Sequence, residues 1–339
     1  MQNVDSKQKP QFTVKTLVRM IQDNAIIVGI MLVAIVVSIL QPNFLSEANF
    51  RNLIGNTATR FIIAVGVSGC LITKGTDLSA GRTAGFAACI TAVMMQKDSY
   101  ANKLFPWIGE PHLIIAILVV LVVCMIVGIV NGTVIAYFKV PPFIATLGMQ
   151  TLVYGICLVS IGASPIGGIR NDFLKVATGF VGNQVISYIA ITALVIGAFM
   201  WFLYNKTRHG KFMYAIGGNE AAAEVSGINT KMTKIRIYML ASMLYGVCGF
   251  LLASKAGGAS VNTAMGYELE AIAGCTIGGV SVNGGVGKIS GILIGVLVFE
   301  ILKIAMQFLG VKPEYTYIVQ GLVIITAVAL DLRKYLAKK

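Results

Sequence analysis

The chain has 339 residues, 56% of them hydrophobic and only 12% charged, with a formal net charge of +13 and a mean hydropathy of +0.81. A soluble domain carries about 25% charged residues, so this composition excludes an ordinary soluble domain and predicts an integral membrane protein. The basic residues stand beside apolar runs instead of covering one soluble face, which argues against nucleic acid as a partner and for a role in membrane topology.

The apolar runs predict an all-α integral membrane protein with about ten transmembrane helices in a single domain, residues 1–339. One crossing takes about 20 predominantly apolar residues, and little of the chain is left over for a soluble domain. Gly and polar residues interrupt the second, third and eighth of the predicted spans. The spans are expected at residues 24–40, 58–73, 76–96, 112–138, 143–162, 184–204, 235–254, 267–283, 287–309 and 315–330.

The longest connection between spans, residues 205–234, sets the predicted orientation because it is rich in basic residues. Lys and Arg concentrate in cytoplasmic segments, and an even number of spans leaves both termini on one side. We therefore expect the segment 1–23, the connection 205–234 and the tail 331–339 in the cytoplasm. The basic residues in and beside the connection are Lys206, Arg208, Lys211, Lys231, Lys234 and Arg236.

The same connection separates five spans from five, which indicates an internal repeat. Two units with an odd number of spans must be inserted in opposite orientations. The third span is broken by TDLSAGRTAG and the eighth by AGCTIGGVSVNGGVG, and these breaks hold matching places in the two halves. Interrupted segments at matching positions are typical of an inverted repeat with a central pathway.

No sequence motif predicts an enzyme or a metal site. The string GGVGKIS at 284–290 is the nearest to a phosphate loop, but Val282 stands where the first glycine belongs and Ile289 follows Lys288. We interpret it as a flexible glycine-rich turn. The two histidines, His112 and His209, lie at a span entrance and in the central connection, so no catalytic role is predicted for them.

The motif GTDLSAGR at 75–82 places charged residues in a membrane segment. Asp77 and Arg82 are costly there unless they are paired or exposed to water. One interpretation is a polar break that lines a translocation path. The other is a structural charge pair, or a break whose backbone is satisfied by neighbouring polar groups.

Further along the chain, two more groups of ionisable residues lie in or beside predicted spans. Glu300 and Lys303 are three residues apart and share a helix face, which favours mutual neutralisation over a proton relay. Glu268 and Glu270 stand at the outer end of the eighth span. A solvated mouth is the simplest interpretation of that pair.

Within the central connection, the sequence predicts a short helix. Asn219 is suited to cap a helix that begins at Glu220, and Gly227 can end it in the left-handed conformation. A short helix that stands off the membrane is a docking site for a partner protein. The alternative, a helix lying on the lipid headgroups, is disfavoured by its weak amphipathicity.

Four stretches carry a resemblance to a known family: RFIIAVGVSGCLITKGTDLSAGR at 60–82, PPFIATLG at 141–148, the central connection, and VALDLRKY at 328–335. The chain resembles the permease subunits of the sugar-importing ATP-binding cassette family that includes the ribose, xylose and galactoside systems. Most of that family has a GGIDLSVGS pattern at the third span. The GTDLSAGR form, AIGGNEAAAEVSGIN and GASPIGG are similar to the galactoside branch.

This resemblance implies a permease that is not itself an enzyme and binds no cofactor. It implies that the chain translocates galactose or methyl galactoside across the bacterial inner membrane, working as a homodimer embedded in membrane lipid. A partner cassette ATPase would hold ATP and Mg²⁺, and a periplasmic sugar-binding protein would dock on the outer segments 97–111, 163–183 and 255–266.

The central connection is similar to the coupling segment of these importers, which carries EAA, three residues and then Gly. Ala221 stands where the acidic residue belongs, and Glu220 is displaced by one position. The residues that the resemblance assigns to contact with the ATPase are Gly217, Gly218, Asn219, Glu220, Ala222, Ala223 and Gly227.

A neutral polar sugar calls for amides, hydroxyls and aromatic faces along its path, and not for a charged trap. The candidates are Thr76, Asp77, Ser79, Asn131, Thr146, Gln150 and Asn283. Three alternatives stay open at this point: ribose or xylose as the sugar, an ion-coupled secondary transporter, and a membrane enzyme acting on lipid-linked substrates.

Overall fold

In the computed structural model, residues 25–182 and 186–336 are described, and most of them fold into α-helix. The predicted segment 1–23 and the last residues of the predicted tail, 337–339, lie outside them. The helices of the described residues are α1 (Ala25–Leu40), α2 (Glu47–Ile72), α3 (Ala80–Met94), α4 (Leu113–Ala136), α5 (Pro142–Ile161), α6 (Asn171–Thr178), α7 (Tyr188–Lys206), α8 (Arg208–Gly218), α9 (Glu220–Val225), α10 (Thr230–Ala256), α11 (Tyr267–Ile277), α12 (Ile289–Phe308) and α13 (Pro313–Leu336).

Seven of these helices in the described ranges are long and apolar enough to cross a membrane: α2, α4, α5, α7, α10, α12 and α13. Helices α1 and α3 are apolar but shorter, and α11 has 11 residues. These ten helices correspond to the ten predicted spans. The all-α membrane fold is therefore confirmed, with the third and eighth spans replaced by short helices beside non-helical segments. Helix α13 continues into the predicted tail, as far as Leu336.

Two long helices form the centre of the bundle. Helices α2 and α10 are mostly buried, run in opposite directions and pack against each other, whereas α4, α5, α7 and α13 expose most of their apolar surface. Helix α10 packs on α3 and α4 of the first half, and α2 packs on α11 and α12 of the second half. Likewise α3 contacts α4 and α5, as α11 contacts α12 and α13. This matched packing supports the predicted inverted arrangement.

The outermost helices break the match between the halves. Helix α1 packs on α12, so the first helix of the chain crosses over to the second half. Helix α7, which holds the same place in the second half, packs on α2. A small cluster around Ile30, Val298, Leu302 and Met306 buries the contact between α1 and α12.

The connections gather at two ends of the bundle. At the proximal end, the segments 137–141, 207–229 and 278–288 lie near the end of α2. At the distal end, the segments 95–112, 162–182 and 257–266 contact each other through paired backbone groups: Gln96 with Ile169, and Ile166 with Ala259. The distal end also holds α6 and a two-residue hairpin, β1 (Phe180–Val181) with β2 (Ile186–Ser187).

Small residues let the central helices approach closely. A Cβ atom added to Gly249 of α10 would lie 2.1 Å from the carbonyl oxygen of Ala84 in α3. Hydrophobic forces do not drive helices together within lipid, so close packing of this kind carries much of the association.

Replacing Gly249 with leucine is expected to destabilise the bundle by about 3 kcal/mol or more, because the clash is with backbone and not with a movable side chain. Less monodisperse protein after extraction and a lower midpoint of thermal unfolding would show this. Gly29→Leu is the matched control, since its Cβ would meet nothing within 4 Å. Equal losses in both variants would contradict the prediction.

Candidate functional site: a broken helix and the proximal junction

The chain leaves helical geometry between α2 and α3. Thr73 caps α2, its Oγ1 donating to the carbonyl oxygen of Cys70 at 2.9 Å, and Lys74 follows with a φ of 60°. The amide of Gly75 donates back to the carbonyl of Cys70 at 2.8 Å. Residues 76–78 then run in irregular backbone before α3 begins at Ala80. Irregular backbone at membrane depth needs polar partners from neighbouring elements.

Asp77 is the centre of the polar cluster that supplies those partners. Its side chain is fully buried, and Oδ1 accepts from the amide of Ser79 at 3.0 Å and from its hydroxyl at 2.6 Å. The hydroxyl of Tyr245 in α10 donates to Oδ2 at 3.2 Å. Asn131 in α4 donates from Nδ2 to the hydroxyl of Ser79 at 3.0 Å. The break is thus bonded to two neighbouring helices.

Arg82 does not pair with Asp77, so the charge-pair interpretation of the motif is wrong. Its guanidinium lies 4.2 Å from the centroid of the Tyr154 ring and donates to the carbonyl of Val261 at 2.8 Å. The distal connection 257–266 reaches down to the first turn of α3 at this contact. The observed bonds match the other structural interpretation, a break satisfied by neighbouring polar groups.

Thr146 in α5 holds the break from another side. Its hydroxyl accepts from the amide of Leu78 at 3.1 Å and contacts the carbonyl oxygen of Thr76 at 3.1 Å. Gln150 is half-buried one turn further along α5, on the same face. The structure therefore brings five predicted path residues together at one break: Thr76, Asp77, Ser79, Asn131 and Thr146. Their contact with sugar stays a prediction.

Asn283 lies apart from this cluster, in the proximal segment 278–288. Its amide nitrogen donates to the hydroxyl of Ser281 at 3.2 Å, and its side-chain Nδ2 is buried without a partner among the described residues. Ser281 also donates to Asp331 of α13 at 3.0 Å. The path residues therefore occupy two places in the bundle.

Four charged side chains form a buried network between α2, α11 and α12. Arg60 Nε lies 2.6 Å from Glu270 Oε2 and 3.0 Å from Glu300 Oε2, and Lys303 Nζ lies 2.7 Å from Glu270 Oε1. The contact between Lys303 and Glu300, at 3.9 Å, is the longest of the four ion pairs in this network. The predicted neutralisation of these two residues by each other is therefore its weakest interaction. The solvated mouth predicted for Glu268 and Glu270 is also wrong, since both carboxylates pack inside the bundle.

The short helix in the central connection forms as predicted. Helix α9 begins at Glu220, the Asn219 side chain accepts from the amide of Ala222 at 3.1 Å, and Gly227 has a φ of 82°. Ala223 turns into the protein, while Val225 is 90% exposed. Helix α9 therefore stands at the surface of the proximal end.

The end of α8 packs tightly against the α2–α3 break and against the segment 278–288. Ile72, the last residue of α2, accepts through its carbonyl from the amide of Gly285 at 2.8 Å. A Cβ on Gly217 would lie 1.8 Å from that same carbonyl oxygen and 2.5 Å from the Gly285 nitrogen. Lys74 Nζ donates to the carbonyl of Gly218 at 3.3 Å. We call this contact of Ile72, Gly217 and Gly285 the proximal junction.

Two titratable groups of α8 lie outside the spans, Tyr214 beside the segment 278–288 and His209 at the start of the helix. Burial raises the pKa of Tyr214, whose hydroxyl keeps its proton and donates to the carbonyl of Gly287 at 2.8 Å. Burial, with a contribution from Arg236, lowers the pKa of His209, so its imidazole is neutral at pH 7. No local sequence pattern predicts these contacts, although Gly285 and Gly287 belong to the string interpreted as a glycine-rich turn.

Comparison with known proteins identifies relatives over nearly the whole chain. A family described as branched-chain amino acid transport system / permease component matches residues 49–328. The galactose/methyl galactoside import permease protein of Haemophilus influenzae is 43% identical over 325 residues, covering 94% of this chain and 97% of that protein. The Escherichia coli protein of the same name is 42% identical, covering 96% and 98%. The ribose import permease protein of Bacillus subtilis is 36% identical, covering 90% and 91%. No solved structure matches the chain.

Proposed function

The chain belongs to this family of transport-system permease components, and we propose that it imports galactose and methyl galactoside as the membrane subunit of an ATP-driven importer. Three permeases named for galactose and methyl galactoside are 42–43% identical to it, a fourth of that name is 34% identical, and a ribose permease is 36% identical. The three high identities are the observation that carries the choice of sugar. The chain is the multi-pass membrane subunit of a transporter, and its partner subunit hydrolyses ATP.

Its partners follow from the way such permeases work. A cassette ATPase that binds ATP and Mg²⁺ docks on helix α9, and a soluble sugar-binding protein docks on the distal segments. A second copy of the chain completes the passage, and lipid covers the remaining apolar faces. The proximal end is cytoplasmic in this proposal, with both termini, because it carries the basic residues of the central connection.

The proximal junction suggests how movement of α9 reaches the path. Helix α9 follows directly on α8, and the end of α8 touches both the α2–α3 break and the segment 278–288. A push on α9 therefore acts on the two broken regions together. The hydrogen bonds of Asp77, Ser79, Asn131 and Thr146 close the break when no sugar is present, and sugar hydroxyls replace some of them during passage. Asn283 would meet the sugar at the proximal end.

Reconstituted transport tests this proposal. Proteoliposomes that contain the chain, its cassette ATPase and the sugar-binding protein are expected to take up labelled galactose only with ATP, and excess methyl galactoside should compete whereas ribose should not. Uptake by the chain alone under a proton or sodium gradient would favour the ion-coupled secondary transporter. Competition by ribose and not by methyl galactoside would overturn the choice of sugar while leaving the class intact.

A further inference from the structure

The proximal end holds a recess that the proposed sugar path does not use. It lies between the α2–α3 connection, the α4–α5 connection, helix α9 and the start of α10, and its volume is about 520 Å³. Small organic ligands typically bind in pockets of about 300–1,000 Å³. The recess is therefore large enough for a small ligand, and such a ligand would touch helix α9 directly.

The carboxylates of the recess are already engaged. Glu220 is paired with Lys234 at 2.6 Å, and Glu224 Oε1 accepts from the hydroxyl of Thr230 at 2.6 Å. These bonds hold α9 against the start of α10 and neutralise one of the four lysines in the lining. A hydroxyl donor does not neutralise the Glu224 carboxylate, but the three other lysines outnumber it, so the charge that remains in the recess is positive.

Three lysines supply that charge: Lys74, Lys139 and Lys231. Within the described ranges none of them has a carboxylate partner. Lys74 Nζ reaches only a backbone carbonyl, and Lys231 Nζ lies 5.3 Å from the centroid of the Tyr137 ring. Lysine ammonium groups are common ligands of phosphate because they act as compact point charges.

Two of these lysines also have unusual backbone conformations. Lys74 has a φ of 60° and Lys139 a φ of 53°, and among the described residues only Ala264 shares this property without being glycine. Glycine is the usual residue at such positions, because a side chain there is strained. Non-glycine residues held in this conformation cluster at functional sites. Both lysines are placed where α2 and α4 end, on either side of the recess.

We propose that this recess binds a phosphate-bearing ligand between Lys74, Lys139 and Lys231. The phosphate belongs either to a free phosphate monoester, such as a hexose phosphate, or to an anionic lipid headgroup. Lys74 and Lys139 stand at the ends of α2 and α4, and Lys231 lies in the first turn of α10, against which α9 is held. A ligand bound by all three lysines therefore fixes the relative position of these elements and so restrains the importer. The binding step itself does not depend on which sugar the chain transports.

Binding measurements on the full chain in lipid nanodiscs test the proposal, with glucose 6-phosphate and inorganic phosphate as probes and glucose as the uncharged control. In phosphatidylcholine discs the phosphate probes should bind saturably and glucose should not. The double change Lys139→Gln with Lys231→Gln should weaken binding by about tenfold or more. Lys211→Gln, an exposed lysine of α8 outside the recess, is the matched control.

Discs that contain phosphatidylglycerol separate the two sources of phosphate. If the lipid headgroup is the ligand, these discs should abolish binding of glucose 6-phosphate to the unaltered chain; if a free phosphate monoester is the ligand, binding should persist. The proposal is overturned if neither probe binds saturably in phosphatidylcholine discs, or if Lys211→Gln weakens binding as much as the double change. It is equally overturned if the recess variants bind the probes normally and lose only the partner ATPase.

Discussion

Replacing Gly217 with alanine is expected to reduce ATP-driven uptake at least about tenfold while the chain still inserts and folds. The new Cβ would lie 1.8 Å from the carbonyl oxygen of Ile72 and 2.5 Å from the amide nitrogen of Gly285. These two backbone atoms are joined by a hydrogen bond. The end of α8 must therefore move away from the proximal junction. Overpacking of this kind costs about 1–3 kcal/mol, which a large bundle survives.

The neighbouring glycine provides a matched control for this prediction. Gly218 is one residue further along α8, and a Cβ there would meet nothing within 4 Å. Gly218→Ala should leave galactose uptake close to that of the unaltered chain. Uptake in proteoliposomes and the ATPase rate of the assembled complex are measured together: the Gly217 variant should still hydrolyse ATP but import little sugar. Equal uptake by the two variants would show that the junction does not transmit movement.

The parts of the fold that depend on local sequence were predictable. The ten apolar runs located the ten bundle helices because burial in lipid requires long apolar stretches. Helix α9 was predictable in detail, since the capping amide of Asn219 and the left-handed Gly227 lie within a few residues of the backbone groups they satisfy. No knowledge of the rest of the chain is needed for such features.

Helix boundaries inside the bundle were less predictable. The second span was expected to begin at residue 58, but α2 begins at Glu47, capped by the hydroxyl of Ser46. Its first turns contain polar residues, so a search for long apolar runs does not detect the start of the helix. Asn56 bonds to Lys255 of α10, and such a partner is known only once α2 and α10 are placed side by side.

Contacts within the candidate site were also difficult to predict, because they join residues that are distant in the sequence. The sequence brought Asp77 and Arg82 together as a possible pair because they are close in the chain, whereas the actual partner of Asp77 on the opposite helix is Tyr245. The sequence also does not pair Arg60 with Glu270, which lies 210 residues away. Contacts across this separation depend on how α2 packs against α11, and no local pattern encodes it.

Removing Arg60 is expected to destabilise the chain by about 3–5 kcal/mol, because a buried charge pair that loses one member leaves an uncompensated charge. In Arg60→Met, Glu270 and Glu300 would share the single positive charge of Lys303 in the buried network. The midpoint of thermal unfolding in detergent measures the loss. Lys211→Met, which changes an exposed lysine by the same charge, should shift it little.

A second change decides whether charge balance is the cause. Arg60→Met with Glu300→Gln removes one charge of each sign and leaves the Glu270–Lys303 pair, with its 2.7 Å contact, intact. This double variant should therefore recover most of the stability that Arg60→Met loses, giving a coupling energy of about 2 kcal/mol or more in the double-mutant cycle. Additive losses would show instead that Arg60 acts through its packing over the Tyr267 ring. If the double variant also imports galactose normally, the network serves to hold α2 against α11 and α12, and the sugar passes elsewhere.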